Sequence, residues 1–305
     1  MTAYIYLIIS ALSLMGMSIL RKEYDKRNKK GLDTSVVFAG LAYLIVFAVS
    51  FIVSLLLSGI GEYASLDAFI LSIGFGYAFI SVVTTILCII AASYGSVSLI
   101  LVFARLGNLT IAFIYGLLFD NNKADLLKWI GLGVVLCIIV INFLASDKSA
   151  GDGSARSKRI YALLCLAVFF SNGSALLFHR LFTKNRPDFE PLNFVAVYAA
   201  LSVVIAVIAF FVIKLTKKSD RASGVSLSRV SVWIIVAYAI IMLVGEFTAL
   251  VNTAILPVII LAPVSFALPM IFASVAERIV YKTPITKVLL LKMVLALICC
   301  VLFVI

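Results

Sequence analysis

The sequence predicts an all-α integral membrane protein, with ten transmembrane helices built as two inverted five-helix repeats. Three observations predict it: the composition, the spacing of apolar runs, and the placement of basic residues. Hydrophobic residues fill 64% of the 305 positions and charged residues 13%, and the mean hydropathy is +1.21. Soluble chains carry roughly 45–50% apolar and ~25% charged residues, because their own surface must be wetted. Lipid removes that constraint. The formal net charge of +11 sits in short runs between apolar stretches. That is the layout of membrane topology rather than of a phosphate-binding groove, so no nucleic-acid partner is expected.

The apolar runs give spans at 2–20, 35–58, 68–93, 96–119, 126–146, 159–182, 192–213, 230–252, 254–276 and 285–305. Each has the ~20–25 residues needed to cross ~30 Å of hydrocarbon at ~1.5 Å per residue. Two apolar stretches are too long for one crossing. The first breaks near Ser93-Tyr94-Gly95-Ser96 and the second between Asn252 and Pro257, both turn-forming clusters. The first run has no basic segment before it and is long enough to span, so it reads as a helix and not a cleavable signal.

These two stretches occupy corresponding places. Aligning Asp120 with Glu277 also aligns Gly16 with Gly173, Tyr4 with Tyr161, Leu20 with Leu177 and Asn28 with Asn185. The chain then divides into a first repeat at 1–146, a linker loop at 147–158 rich in Ser, Gly and charge, and a second repeat at 159–305. Five spans is an odd number, so the second repeat enters the membrane from the opposite side, an architecture used by transporters.

Basic residues set the orientation. Loops 1–2, 5–6, 7–8 and 9–10 carry most of them, from Arg21, Lys22, Lys26 and Arg27 to Arg278, Lys282 and Lys287. The other side holds only Lys123, Lys128, Arg180, Lys184 and Arg186. The basic side is expected in the cytoplasm, which places both termini outside the cell membrane. Cys88, Cys137, Cys165, Cys299 and Cys300 all lie in apolar segments. An odd count without metal-type spacing predicts neither a disulfide framework nor a metal site.

The hairpin Ala91-Ala-Ser-Tyr-Gly-Ser-Val-Ser98, its counterpart Leu261-Ala-Pro-Val-Ser265, and Ala276-Glu-Arg278 before the last span resemble the drug/metabolite transporter superfamily. The likeness is to its ten-helix EamA-like branch and covers the whole chain. It implies five-plus-five inverted helices and transport of a small molecule. The first repeat departs from the family pattern, with Phe119-Asp120-Asn121 where Glu-Arg is usual and Leu106 where the second repeat has Pro263. The family also keeps both termini in the cytoplasm and basic residues between spans 2 and 3. Here that loop has only Glu62 and Asp67, so the charge count implies the inverted orientation.

Four residues are candidates for substrate or coupling contacts. Glu246 lies inside span 8, where a carboxylate costs at least ~2.5–3.5 kcal/mol and must face a cavity or a partner. Its chemistry is proton exchange or binding of a cationic group; its structural alternative is an interhelical hydrogen bond. Arg105 lies near the middle of span 4, suited to a carboxylate or phosphate, or to pairing with Glu246. The span ends place it ~14 Å and Glu246 ~25 Å from the cytoplasmic side at ~1.5 Å per residue, so a direct pair requires a reach. Asn108 shares the Arg105 face, and Asn172 belongs to the polar cluster Ser171-Asn-Gly-Ser174 in span 6. Both also suit interhelical hydrogen bonding. His179, beside Arg180 at the end of span 6, reads as an interfacial residue. Pro257, Pro263 and Pro269 recur through span 9 and are hinge candidates, since each removes a backbone hydrogen bond.

No Walker loop, HExxH, Gly-x-Ser-x-Gly or Cys/His cluster is present, so neither an enzyme nor a cofactor is expected. The expected function is secondary active transport of a small organic metabolite, an amino acid or other zwitterion being the natural guess, by alternating access and with protons as a coupling partner. The alternative is a lipid-handling, flippase-like component. The expected partners are the small-molecule substrate and the lipid bilayer, with the chain as monomer or homodimer.

Overall fold

The computed structural model describes residues 2–28, 32–94, 97–119, 125–146, 155–216 and 227–257, with scattered helical positions between Leu261 and Leu302. Among the described residues there are eight α-helices: α1 (Thr2–Arg27), α2 (Leu32–Leu57), α3 (Ala68–Tyr94), α4 (Val97–Phe119), α5 (Leu126–Ser146), α6 (Ala155–Asn185), α7 (Pro191–Thr216) and α8 (Arg229–Ile255). One turn of 3₁₀ helix, Ile60–Ser65, joins α2 to α3. Six of the helices are long and apolar enough to cross a membrane. Helices are what such a sequence must form, because backbone N–H and C=O groups in lipid have no water to bind.

The expected spans 1 to 8 coincide with α1 to α8 apart from their ends. Two helices run further than their apolar stretch. α1 continues through a charged turn in which Glu23 pairs with Lys26 at 3.0 Å, while Tyr24 tucks its ring against Phe38 at 4.5 Å. α6 begins at Ala155, so residues 155–158 of the expected linker are its first turn; 147–154 lie outside the described residues. Hydropathy reports where lipid begins, and a helix needs no lipid to continue for one polar turn.

Side-chain caps fix several helix starts. Asp67 accepts the Ile70 N–H at 2.8 Å below α3, Asp125 accepts the Lys128 N–H at 3.1 Å below α5, and Ser228 accepts the Ser231 N–H at 3.1 Å below α8. The Ser231 hydroxyl then donates to Asn28 at 3.1 Å, tying the end of α1 to the start of α8.

The helices pair across the chain more than along it. α1 packs on α8, α2 on α7, α3 on both α6 and α7, and α4 on α6, with α2 also touching α8. The main core joins α2, α3, α7 and α8 through Phe38, Val46, Ile70, Phe194, Tyr198 and Ile235, and Phe182 of α6 stacks on Phe194 at 3.9 Å. A smaller cluster of Cys88, Ile100, Ala104, Cys165 and Val168 joins α3, α4 and α6. Leu56, Phe211 and Leu215 turn outward as a lipid-facing surface requires.

α4 and α6 meet at backbone contact. A β-carbon at Gly107 would overlap the Phe169 carbonyl, and one at Gly173 would fall 2.6 Å from the Gly107 oxygen. Only glycine permits that approach. It places Arg105, one half-turn before Gly107, between α4 and the helices behind it.

Candidate functional site

The acid is engaged through one of its oxygens. Glu246 lies midway along α8, and Tyr77 of α3 donates its phenolic O–H to Oε2 at 2.6 Å. His179 Nε2, from α6, approaches the same oxygen at 3.4 Å. The rings of Tyr77 and His179 lie 4.5 Å apart, and Tyr198 of α7 sets its ring edge-on to Tyr77 at 4.6 Å, its hydroxyl buried without a hydrogen-bond partner among the described residues. Four helices, one from the first expected repeat and three from the second, thus converge on one carboxylate. His179 is 4% exposed. It is not the interfacial residue its place near the span end suggested, because α6 continues past it to Asn185.

The base is different. Arg105 is half-buried in α4. Among the described residues its guanidinium donates to no protein acceptor at hydrogen-bond distance. Glu246 leaves 18% of its side chain accessible. Three residues past Arg105, the Asn108 Oδ1 atom is buried without a hydrogen-bond partner. A buried polar atom without a partner costs ~1–3 kcal/mol and calls for an explanation.

Arg21, assigned to a loop from sequence, instead lies in α1 and reaches into the bundle. Its Nη2 donates to the Thr85 carbonyl of α3 at 3.0 Å, and its charge is felt by Cys88, Tyr43 and Tyr238. Arg180 behaves similarly, donating from α6 to the Thr253 carbonyl of α8 at 2.7 Å. Nothing in the sequence distinguishes Arg21 and Arg180 from surface arginines, since each adjoins a charged or polar loop.

Asn172 donates to the Ala104 carbonyl at 2.7 Å, bridging α6 to α4 at the glycine crossing. Asn252, missed in the sequence because it marked a turn, is wholly buried with neither side-chain atom partnered. Pro257 follows the end of α8, Pro269 is helical and buried, and Pro263 lies outside the described residues. Among the described residues no group of His, Cys, Asp and Glu could hold a metal.

At the opposite end from the basic loops, Arg186 Nη1 pairs with Asp67 at 2.5 Å and Nη2 with Asp188 at 3.1 Å. These pairs join the α6–α7 connection to the α2–α3 connection. Arg186 holds the Asp188 carboxyl below its usual range, mainly through their hydrogen bonds. On the lipid-facing side an apolar groove of about 300 Å³ runs between α2 and α7, lined by residues such as Val36, Gly40, Leu44, Val203 and Phe210.

No family model matches the chain, and no curated protein does. Solved structures do share its fold. One, described only as the crystal structure of a protein, superposes with a TM-score of 0.75 at 13% identity, over 99% of this chain and 96% of its own. At that identity the likeness concerns the fold alone.

Proposed function

We propose that the chain is a secondary transporter that moves a small organic metabolite across the cell membrane by alternating access between two five-helix halves. The observation that carries this proposal is a pair of ionisable side chains far from the helix ends, Glu246 in α8 and Arg105 in α4. Buried charge is expensive in a membrane protein and marks a pathway, a relay or a binding site.

Helix pairing supports the inverted repeat. Advancing each helix by five turns the α1–α8 contact into α6–α3, turns α2–α8 into α7–α3, and returns α2–α7 to itself; all these contacts occur. A chain of ten helices related by a two-fold axis in the membrane plane has that pairing, with α2 and α7 on the axis. The resemblance to the drug/metabolite transporter superfamily, and the cytoplasmic placement of the basic loops with both termini outside, belong to the same proposal. Protons are the proposed coupling partner, with Glu246 as the exchanging group.

A flippase-like role is the weaker proposal. The α2–α7 groove would suit an acyl chain, but its apolar lining offers a headgroup nothing to bind.

The test is uptake into proteoliposomes with and without a pH gradient. Uptake driven by the gradient in wild type and independent of it in Glu246→Gln is expected. Full pH-dependent uptake by Glu246→Gln would contradict proton coupling through this residue.

A further inference from the structure

We infer that the bundle carries two matched latches, one at each membrane face, whose alternate release is its gate: Asn28 with Ser231 at the basic end, and Arg186 with Asp67 at the other. What the gate admits rests on the transport proposal.

The matching begins at the helix ends. α1 packs on α8 and α6 packs on α3, the two contacts that the proposed repeat exchanges. α1 is followed by Asn28, whose side chain donates to the Tyr24 carbonyl one turn back at 2.9 Å. α6 ends on Asn185, the residue that the repeat alignment sets against Asn28. Its side chain donates to the Leu181 carbonyl at 2.8 Å. An asparagine bonded to its own last turn fixes where the helix stops. From both ends the chain then reaches the N-cap of the helix packed alongside.

At the basic end that contact is neutral. Ser228 caps α8 by accepting the Ser231 N–H at 3.1 Å. The Ser231 hydroxyl, wholly buried, donates to Asn28 at 3.1 Å. At the opposite end the contact is ionic. Asp67 caps α3 with one oxygen, accepting the Ile70 N–H at 2.8 Å, and holds Arg186 with the other at 2.5 Å. Arg186 follows Asn185 directly, and Asp188 steadies it at 3.1 Å.

The helix between the two latches is α2, whose 26 residues cover ~39 Å at ~1.5 Å per residue. One latch therefore lies at each face. Each fastens a helix of the first proposed repeat to one of the second, so the halves cannot part at a face without breaking the latch there. Release at one face leaves the other fastened, which makes the pair bistable. The two also respond differently to salt. Asp67 leaves 48% of its side chain accessible, and an ion pair in contact with water is screened, whereas a buried neutral hydrogen bond is not.

The experiment is hydrogen–deuterium exchange, read by mass spectrometry, on the full chain in lipid nanodiscs. Peptides covering 24–28 and 228–232 report the basic end, and those covering 67–71 and 182–193 the opposite end; each contains backbone bonds at a latch. Asp67→Asn keeps an acceptor for the Ile70 N–H and removes the charge. It is expected to speed exchange at its own end roughly 2–5-fold and to slow exchange at the basic end, since one open state is populated at the expense of the other. Ser231→Ala keeps the Ser228 cap and should do the reverse. Arg186→Gln spares the α3 cap and should match Asp67→Asn, and the double variant should add little to either. Raising salt from about 20 to about 500 mM should act on the wild type as Asp67→Asn does and leave Asp67→Asn itself unmoved. Size-exclusion elution checks that each variant is folded. Faster exchange at the substituted end without slowing at the other would mean local fraying and overturn the inference, as would no change at either end. Reciprocal exchange in a protein that moves nothing in vesicles would sink the transport proposal and leave the gate standing. Transport by a chain without reciprocal exchange would do the opposite.

Discussion

Glu246 and Arg105 are both ionisable groups placed where lipid-spanning helices meet, yet the protein treats them in opposite ways. The acid is given a phenol at 2.6 Å and an imidazole at 3.4 Å, from two different helices. The arginine is given a glycine-mediated helix crossing that holds its backbone, and no acceptor among the described residues. A charge with built-in partners can change its protonation without a ligand. A charge whose donors are unmet needs something that arrives from outside. Under the proposed transport function, the contrast assigns coupling to α8 and solute capture to α4.

The largest expected effect comes from breaking the capture side. Under the proposed transport function, Arg105→Gln should lower uptake of the solute by ~30-fold or more, as truncation of a desolvated charged contact does, with little change in Tm. Uptake rates in proteoliposomes against circular-dichroism melts would check both halves of that statement.

Breaking the acid side should show the reverse balance. Glu246→Ala leaves the Tyr77 hydroxyl and His179 without their shared partner and should destabilise by ~1–3 kcal/mol. Glu246→Gln retains an acceptor for Tyr77 and should lose less stability while still abolishing pH-dependent uptake. Equal stability losses in the two variants would mean that the hydrogen bond from Tyr77 contributes little.

The scaffold can be probed without touching either charge. Gly107→Ala forces a methyl against the Phe169 carbonyl, and overpacking of that kind costs about 1–3 kcal/mol. It should also displace α4 and with it Arg105, and so slow uptake under the proposed transport function. Gly133 of α5 has open space around it, and Gly133→Ala should be neutral or stabilising by at most ~1 kcal/mol. Matching Tm values for the two variants would show that the α4–α6 crossing is more forgiving than its geometry implies.

The smallest effects belong to the Arg186 cluster, whose two acids are exposed to solvent. Asp188 has its carboxyl held below the ordinary range by Arg186. Its contribution to stability is therefore complete above the usual carboxylate pKa of ~3.9 and disappears as pH falls through the lowered value. Asp188→Asn should leave Tm at neutral pH nearly unchanged and slightly flatten its decline in acid. The Arg186–Asp67 pair, which joins the two expected halves, would have to part in each transport cycle. Asp67→Asn should accordingly alter uptake rate more than Tm.

Much of the helical framework was legible from hydropathy alone, because lipid imposes length and apolarity on every span. The ends of α1 and α6 were not. Glu23, Lys26 and Arg27 read as loop, yet their charges pair along a helical surface. The site was legible in part. Glu246 and Arg105 stood out as charges far from any span end. Arg21 and His179 lie near span ends, and nothing in a linear sequence says which way a helix turns its last few residues. Asn172 has the composition of a ligand, and its place at the Gly107–Gly173 crossing gives it an interhelical bond to Ala104 instead. Asn252 was hidden for a different reason, since an asparagine before a proline is normally turn punctuation.

The central proposal is that a solute captured by Arg105 crosses the membrane between the helices that carry Arg105 and Glu246. Counterflow in proteoliposomes tests it most directly: vesicles loaded with a solute that raises the Tm of the purified chain are diluted into a trace of the same labelled solute. Transient accumulation of label is predicted for the wild type and for Glu246→Gln, where exchange needs no proton gradient, and none for Arg105→Gln. Accumulation by Arg105→Gln at the wild-type rate, or its absence from wild-type vesicles, would contradict the account.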